Sequence, residues 1–236
     1  MKKTLRIDVW SDIACPWCYI GKRRLEAALE TFAARDEIEV VWRAFELDPS
    51  APRERDRDVS YAERLAKKYG VPEEQAQAMI TRMTDVARAD GLTFRFDIIR
   101  SGNTFDAHRV LHLARERGVQ DAVKERFLKG YMEQGEPIGD PETLVRLASE
   151  AGLDAEEVRA VLASDAHGAA VRADEEEAAE LGINGVPFFV LGGKYAVSGA
   201  QPAELLRSAL QRTYSELSAG PEVFAEGAVC GPEGCA

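Results

Sequence analysis

The sequence contains no hydrophobic run that approaches the roughly 18 residues a helix needs to cross a bilayer. Basic residues are also scarce: 30 Lys and Arg stand against 41 Asp and Glu, and the formal net charge is −11. A chain this acidic repels the phosphate backbone of nucleic acids. We therefore expect neither a membrane span nor a nucleic-acid partner.

The sequence also lacks an export signal. It begins MKKTLRIDVW, and the charges of Arg6 and Asp8 interrupt the place where a signal peptide needs an apolar stretch. We therefore expect a cytoplasmic protein.

Cysteine is rare, with four in the chain. A reducing compartment disfavours structural disulfides, so a Cys-x-x-Cys pair there usually serves metal binding or redox chemistry.

Hydrophobic residues make up 45% of the 236 positions, which is enough for a folded core. Alternating β-formers predict strands over 4–10 and 38–47, and the apolar spacing between them predicts a helix beside the sequence CPWC. Residues 60–182 are predicted to be helical almost throughout. A hairpin over 185–199 and a last helix over 201–217 follow.

Cys15 and Cys18 lie at the predicted start of the first helix, with Pro16 in its first turn, where a missing N–H costs nothing. The thiolate is the form that attacks disulfides, and a helix N-terminus favours it. We expect Cys15 to be the nucleophile and Cys18, one turn deeper, to resolve the mixed disulfide. Pro16 and Trp17 would set the local stiffness and polarity. A zinc site shared with the tail cysteines, or a pair of inert thiols, remains open.

Two acidic residues flank the approach to this pair. Asp8 and Asp12 are candidate proton shuttles for Cys18, and capping or surface roles are the alternative. His108 and His112 are four residues apart on one predicted helix, but the sequence HRVLH lacks the glutamate of a zinc-protease motif. We therefore predict no metal site there.

The tail carries a second pair, Cys230 and Cys235, in the sequence VCGPEGC. Gly-Pro-Glu-Gly turns tightly enough for a disulfide between them. Loop entropy gives so short a ring at most about 2 kcal/mol of stability. We therefore favour an auxiliary redox role over a structural one, with two ordinary thiols as the alternative.

Three segments together carry a family resemblance: SDIACPWCYIGKRRLE around the first pair, NTFDAHR at 103–109 and GVPFFV at 185–190. They resemble the FrnE subgroup of DsbA-like thioredoxin-fold proteins, over nearly the whole chain up to about residue 217. The resemblance implies an α/β thioredoxin fold with a large all-helical insertion between its βαβ and αββα halves. It also implies a cis bond between Val186 and Pro187 that faces the cysteines, with Val186 binding substrate backbone.

This resemblance suggests a division of the chain. Residues 1–58 would form the first half of the thioredoxin-like domain, 59–170 the helical insertion, and 171–217 the second half; 218–236 would be a tail. The start of the predicted helix near Asn103 and Thr104 would cap that helix and could face the cysteines as part of a cleft.

The resemblance implies a thiol–disulfide oxidoreductase that reduces, oxidises or isomerises the disulfides of proteins. Protein thiols and disulfides would be its partners, and it would hold no bound cofactor, with glutathione as a candidate co-substrate. The same clan includes kappa-class glutathione transferases and 2-hydroxychromene-2-carboxylate isomerases, whose glutathione-using members typically have serine at the position of Cys15. A glutathione-dependent transferase or isomerase is therefore the alternative, and a zinc-held or chaperone-like binding module is a third.

Overall fold

The computed structural model describes residues 4–56 and 58–218, and the backbone of 230–231 and 234–235. The first half of the fold is a strand–helix–strand unit. Strand β1 (Leu5–Ser11) is followed by helix α1 (Pro16–Glu30), a 3-10 turn (Arg35–Glu37) and strand β2 (Ile38–Ala44). The second predicted strand thus ends three residues earlier than expected.

Helices fill the middle of the chain, as the apolar spacing predicts. They are α2 (Tyr61–Tyr69), α3 (Glu73–Ala89), α4 (Phe105–Glu116), α5 (Gln120–Gln134), α6 (Pro141–Glu150), α7 (Ala155–Leu162) and α8 (Gly168–Glu180). Asp140 and Asp154 cap α6 and α7 by accepting hydrogen bonds from backbone N–H groups, which is the usual role of aspartate at this position.

Within the region predicted to be helical, residues 154–182 form two helices, α7 and α8. Helix α7 ends before His167, which has a φ of 60°, a conformation that residues other than glycine seldom adopt. The buried guanidinium of Arg109 explains the break, because it donates to the carbonyls of Val161, Ser164 and Ala166 at the end of α7. Satisfying those carbonyls stabilises the helix terminus.

The second half of the fold completes one sheet. Strands β3 (Phe188–Leu191) and β4 (Tyr195–Ser198) form the predicted hairpin, and α9 (Ala203–Ser218) follows. The strand order is β2-β1-β3-β4, with β1 parallel to β2 and antiparallel to β3. This is the α/β arrangement that the sequence predicts. The proposed division into domains remains a prediction.

Helix α1 packs against two hydrophobic clusters. Tyr19 and Ile20 belong to a large cluster with the helices α2–α7, whereas Leu25 and Ala28 pack with the sheet and α9. The N-terminal end of α1 therefore lies where the sheet meets the helical block. Among the described residues, no helix is both long and apolar enough to cross a membrane.

Candidate active site

The CPWC segment forms the start of α1. Strand β1 ends at Ser11, a short loop follows, and Cys15 occupies the N-cap position of the helix. The Cys15 N–H donates to the Asp12 carbonyl at 3.3 Å, and the Cys18 N–H donates to the Cys15 carbonyl at 3.1 Å. These bonds fix the first turn of the helix. Cys15 is 4% exposed and Cys18 is fully buried at 0%, and both thiols are free.

The segment before β3 lies directly against this helix start. The Cys15 thiol donates to the Val186 carbonyl oxygen, with an Sγ–O distance of 3.5 Å. The Val186–Pro187 peptide bond is cis. Gly21 packs so closely on the proline that a Cβ built there would lie 2.8 Å from Pro187 Cγ. The absence of a side chain on Gly21 therefore allows Pro187 to approach α1.

Asp12 lies in the loop that leads to Cys15 and is 1% exposed. Its carboxylate accepts hydrogen bonds from the Leu47 N–H at 2.8 Å and the Ala14 N–H at 3.4 Å, and His108 Nε2 lies 3.4 Å away. Burial raises the pKa of Asp12, but these partners and Thr104 outweigh it and bring the pKa below its usual 3.8. Asp12 is therefore held as a buried carboxylate in the loop between β1 and Cys15.

Asp8, the other candidate shuttle, belongs to a separate ion-pair network. Its carboxylate lies 2.5 Å from Arg6 and 2.7 Å from Arg43. Arg43 also pairs with the buried Asp174 at 2.6 Å, and Asp174 lies 3.0 Å from His112. The structure thus brings Asp12 to the cysteines and places Asp8 in the network that joins β1, β2 and α8.

Asn103 and Thr104 precede α4, as predicted, but they divide their roles. The Asn103 side chain accepts from the Phe105 N–H at 2.9 Å and donates to Glu46 at 3.3 Å. Thr104 is the N-cap residue without a side-chain capping bond, and its side chain helps to lower the pKa of Asp12. Thr104 therefore acts on Asp12 in the loop between β1 and Cys15. Asn103 instead fixes the segment before α4.

Pro16 and Trp17 lie between the two cysteines. Pro16 is buried in the first turn of α1, and Trp17 is half-buried against the large helical cluster. Trp17 thus packs the cysteine turn against the helical block.

The sequence did not reveal one residue near the pair, Lys124 of α5. It is 0% exposed, and its Nζ donates to the Ser11 carbonyl at 3.4 Å. Burial lowers the pKa of Lys124 to about 8, although Cys18, Asp12 and Cys15 act in the opposite direction. Burial and the neighbouring Cys15 raise the pKa of Cys18 well above its usual value. Phe127, Leu128 and Tyr131 follow Lys124 by three, four and seven residues, so helical spacing already places this lysine on the apolar face of α5.

The side chains of the tail pair lie outside the described residues. The backbone places Cys230 opposite Cys235 in a two-residue antiparallel ladder. Among the residues that the structure describes, no group of three or more His, Cys, Asp or Glu side chains is arranged to hold a metal ion.

Comparison with known proteins gives one family. The model of the DSBA-like thioredoxin domain matches residues 6–211. The crystal structure of a probable DsbA oxidoreductase from Streptomyces coelicolor is 49% identical with a TM-score of 0.85, and 98% of each chain is covered. An uncharacterised protein of Bacillus subtilis strain 168, YwbO, is 27% identical over 88% of this chain and 96% of its own.

A more distant structure shares the fold. The cytosolic disulfide reductase DsbM from Pseudomonas aeruginosa, solved with GSH, is 18% identical with a TM-score of 0.61, covering 89% of this chain and 99% of that one. The family match over most of the chain and the predicted strand–helix–strand order agree. The chain belongs to the family of DsbA-like thioredoxin-domain proteins.

Proposed function

We propose that this protein is a thiol–disulfide oxidoreductase of the FrnE type that uses Cys15 and Cys18. One observation carries the proposal: Cys15 lies at the N-terminus of α1 beside the Val186 carbonyl, with the buried Cys18 one turn below. The two thiols thus differ in exposure: Cys15 is nearer to the surface, and Cys18 is fully buried. The alternative transferase or isomerase chemistry needs no second thiol, so the pair favours disulfide exchange.

The reaction takes place in two exchanges. The Cys15 thiolate attacks one sulfur of a substrate disulfide, a mixed disulfide forms, and the other substrate sulfur leaves as a thiolate. Cys18 then loses its proton and attacks Cys15 Sγ, which forms the Cys15–Cys18 disulfide and releases the second substrate sulfur. The substrate gains two electrons and two protons, and the enzyme pair loses them. Oxidation of a dithiol is the same sequence in reverse.

Val186 and Pro187 supply the substrate surface in this proposal. The Val186 carbonyl already accepts from the Cys15 thiol, so it marks the place where a bound peptide would run past the reacting sulfur. An extended peptide that pairs with this backbone would add a strand beside the site. Trp17 and Pro16 would line the same surface from the helix side.

The tail pair is proposed as an auxiliary redox centre. Antiparallel partners have Cα atoms about 4.5–5.5 Å apart, which suits a disulfide, and Cys230 and Cys235 are such partners. Covalent length supports exchange with Cys15 as well. Twelve peptide units join Ser218 to Cys230, and a chain of that length can span about 40 Å. This is more than the length of α9, which is about 24 Å for 16 residues, so the tail is long enough to run back along that helix.

The proposed substrates are protein thiols and disulfides in the cytoplasm, with glutathione as a co-substrate and no resident cofactor. The similar protein DsbM is a cytosolic disulfide reductase whose structure was solved with GSH, which is consistent with that setting. The test is turnover of insulin and of scrambled ribonuclease by the wild type and by Cys15→Ser. We expect Cys15→Ser to lose both activities while remaining folded. Equal turnover by the two proteins would refute the proposal.

A further inference from the structure

Lys124 is a buried cation that the exchange described above does not use. It comes from α5 in the helical block and not from the strand–helix–strand unit that carries the cysteines. Its side chain is 0% exposed, and its Nζ lies 5.7 Å from the centre of the Trp42 ring. Among the described residues, no carboxylate lies within 4.0 Å of Nζ. A buried ammonium without an ion-pair partner is costly, so its position calls for a physical reason.

The backbone between Ser11 and Asp12 links this cation to the resolving thiol. The carbonyl of that peptide group accepts from Lys124 Nζ at 3.4 Å. The Asp12 backbone, which belongs to the same peptide group, and the charge of Lys124 both act to lower the pKa of Cys18. A donated N–H and a nearby positive charge both stabilise a thiolate relative to a thiol. The peptide group between Ser11 and Asp12 therefore contacts Lys124 through its carbonyl and acts on Cys18 through its other end.

The charges that face Lys124 come from two neighbouring segments. Asp12 in the loop after β1 and both cysteines of α1 attract its ammonium, and Lys22 of α1 repels it. Asp12 is already satisfied by His108, Thr104 and the Leu47 N–H. For Cys18, burial and the neighbouring Cys15 raise the pKa, and the charge of Lys124 opposes them.

We propose that Lys124 is a positioning residue that stabilises the Cys18 thiolate as it attacks the mixed disulfide. The inference rests on the proposed function, because that function supplies the mixed disulfide at Cys15. In this step Cys18 loses its proton, a bond forms between the two enzyme sulfurs, and the bond from Cys15 to the substrate sulfur breaks. The leaving thiolate takes up a proton, so charge balances while Lys124 keeps its own proton.

The test is a single turnover with one equivalent of Ellman's reagent. The protein carries Cys230→Ser and Cys235→Ser, so that only Cys15 and Cys18 react. Cys15 releases the first thionitrobenzoate, and attack by Cys18 releases the second. Lys124→Met has nearly the length of lysine without the charge. We expect it to slow the second release about tenfold at pH 7, the effect of one pKa unit, and to shift the rate profile to higher pH.

Two control variants separate charge from packing. Lys129 lies on the same helix and is exposed, so Lys129→Met should leave both phases unchanged. Lys124→Arg keeps the charge and should keep the pH profile of the wild type. A packing defect alone would lower the rate equally at every pH. If Lys124→Met does not fold, Lys124→Gln replaces it in the same assay.

The outcomes distinguish this inference from the proposed function. If a folded Lys124→Met or Lys124→Gln variant shows the second release at the wild-type rate and pH, the role of Lys124 is refuted and the exchange stands. If the Cys230→Ser, Cys235→Ser protein with Lys124 intact releases one thionitrobenzoate and no second, the Cys15–Cys18 exchange is itself refuted.

Discussion

Gly21→Ala tests the contact that holds the Val186–Pro187 segment against the cysteine helix. The added Cβ would lie 2.8 Å from Pro187 Cγ and 3.3 Å from Phe189 Cζ, whereas carbon atoms in favourable contact are about 3.5–4.0 Å apart. Pro187 must therefore move by about 0.7 Å or more. Such overpacking costs about 1–3 kcal/mol, and the better helix propensity of alanine returns up to about 1 kcal/mol.

We therefore expect Gly21→Ala to lower the free energy of unfolding by about 1–2 kcal/mol. Urea unfolding measures this change, and for a chain of this size each kcal/mol corresponds to about 2–4 °C in Tm. Ala27 is exposed on the same helix, so Ala27→Gly measures the propensity difference without the contact. Because Val186 adjoins Pro187, Gly21→Ala should also reduce disulfide turnover more than Ala27→Gly does.

The refuting result is equally specific. If Gly21→Ala unfolds at the wild-type urea concentration or above it, the helix gains the propensity term and the contact with Pro187 costs nothing. The close approach of Pro187 to α1 would then not constrain the site.

Three further predictions concern the cysteines and an ion pair. Iodoacetamide at about pH 7 should label Cys15 well before Cys18, because Cys18 is fully buried and its pKa is raised; peptide mapping that finds Cys18 first would contradict the order of attack. The Cys230→Ser, Cys235→Ser double variant should keep its Tm and lose part of its reductase or isomerase activity, and full activity with tail thiols that stay reduced would refute the relay. Glu125 of α5 pairs with Arg23 and Lys22 of α1. Burial raises the pKa of Glu125, but the hydrogen bond from Arg23 and the charge of Lys22 outweigh this and lower the pKa to about 2. The stabilisation from the ionised carboxylate is therefore present above about pH 4.5 and is lost as the pH falls towards 2. Glu125→Gln should therefore cost about 2 kcal/mol at pH 7 after allowance for solvent screening, and a loss that persists at pH 2 would refute the electrostatic cause.

The sequence predicts the parts of the fold that depend on local pattern. Strands β1 and β2, the helical block and the β3–β4 hairpin follow from apolar spacing and turn residues. The break between α7 and α8 does not, because it depends on Arg109, which is more than 50 residues away from the carbonyls it satisfies. A pattern confined to neighbouring residues carries no information about that contact.

The candidate site divides in the same way. The position of Cys15 at a helix start is a local feature, and CPWC predicts it. The separation of Asp8 from Asp12 and the presence of Lys124 depend on how α4, α5 and α8 pack against β2 and the end of β1. Strand alternation does not show which acid has a basic partner, and only the folded arrangement brings a lysine of the helical block to the cysteines.

The most direct test of the central claim is the mass of a trapped intermediate. Cys18→Ser removes the resolving thiol, so a reduced full-length variant that meets a disulfide-containing protein should stop at the mixed disulfide. Intact-protein mass spectrometry should then show one attached substrate chain, and peptide mapping should place the bond at Cys15. No adduct, or an adduct that maps only to Cys230 or Cys235, would contradict the assignment of Cys15 as the nucleophile.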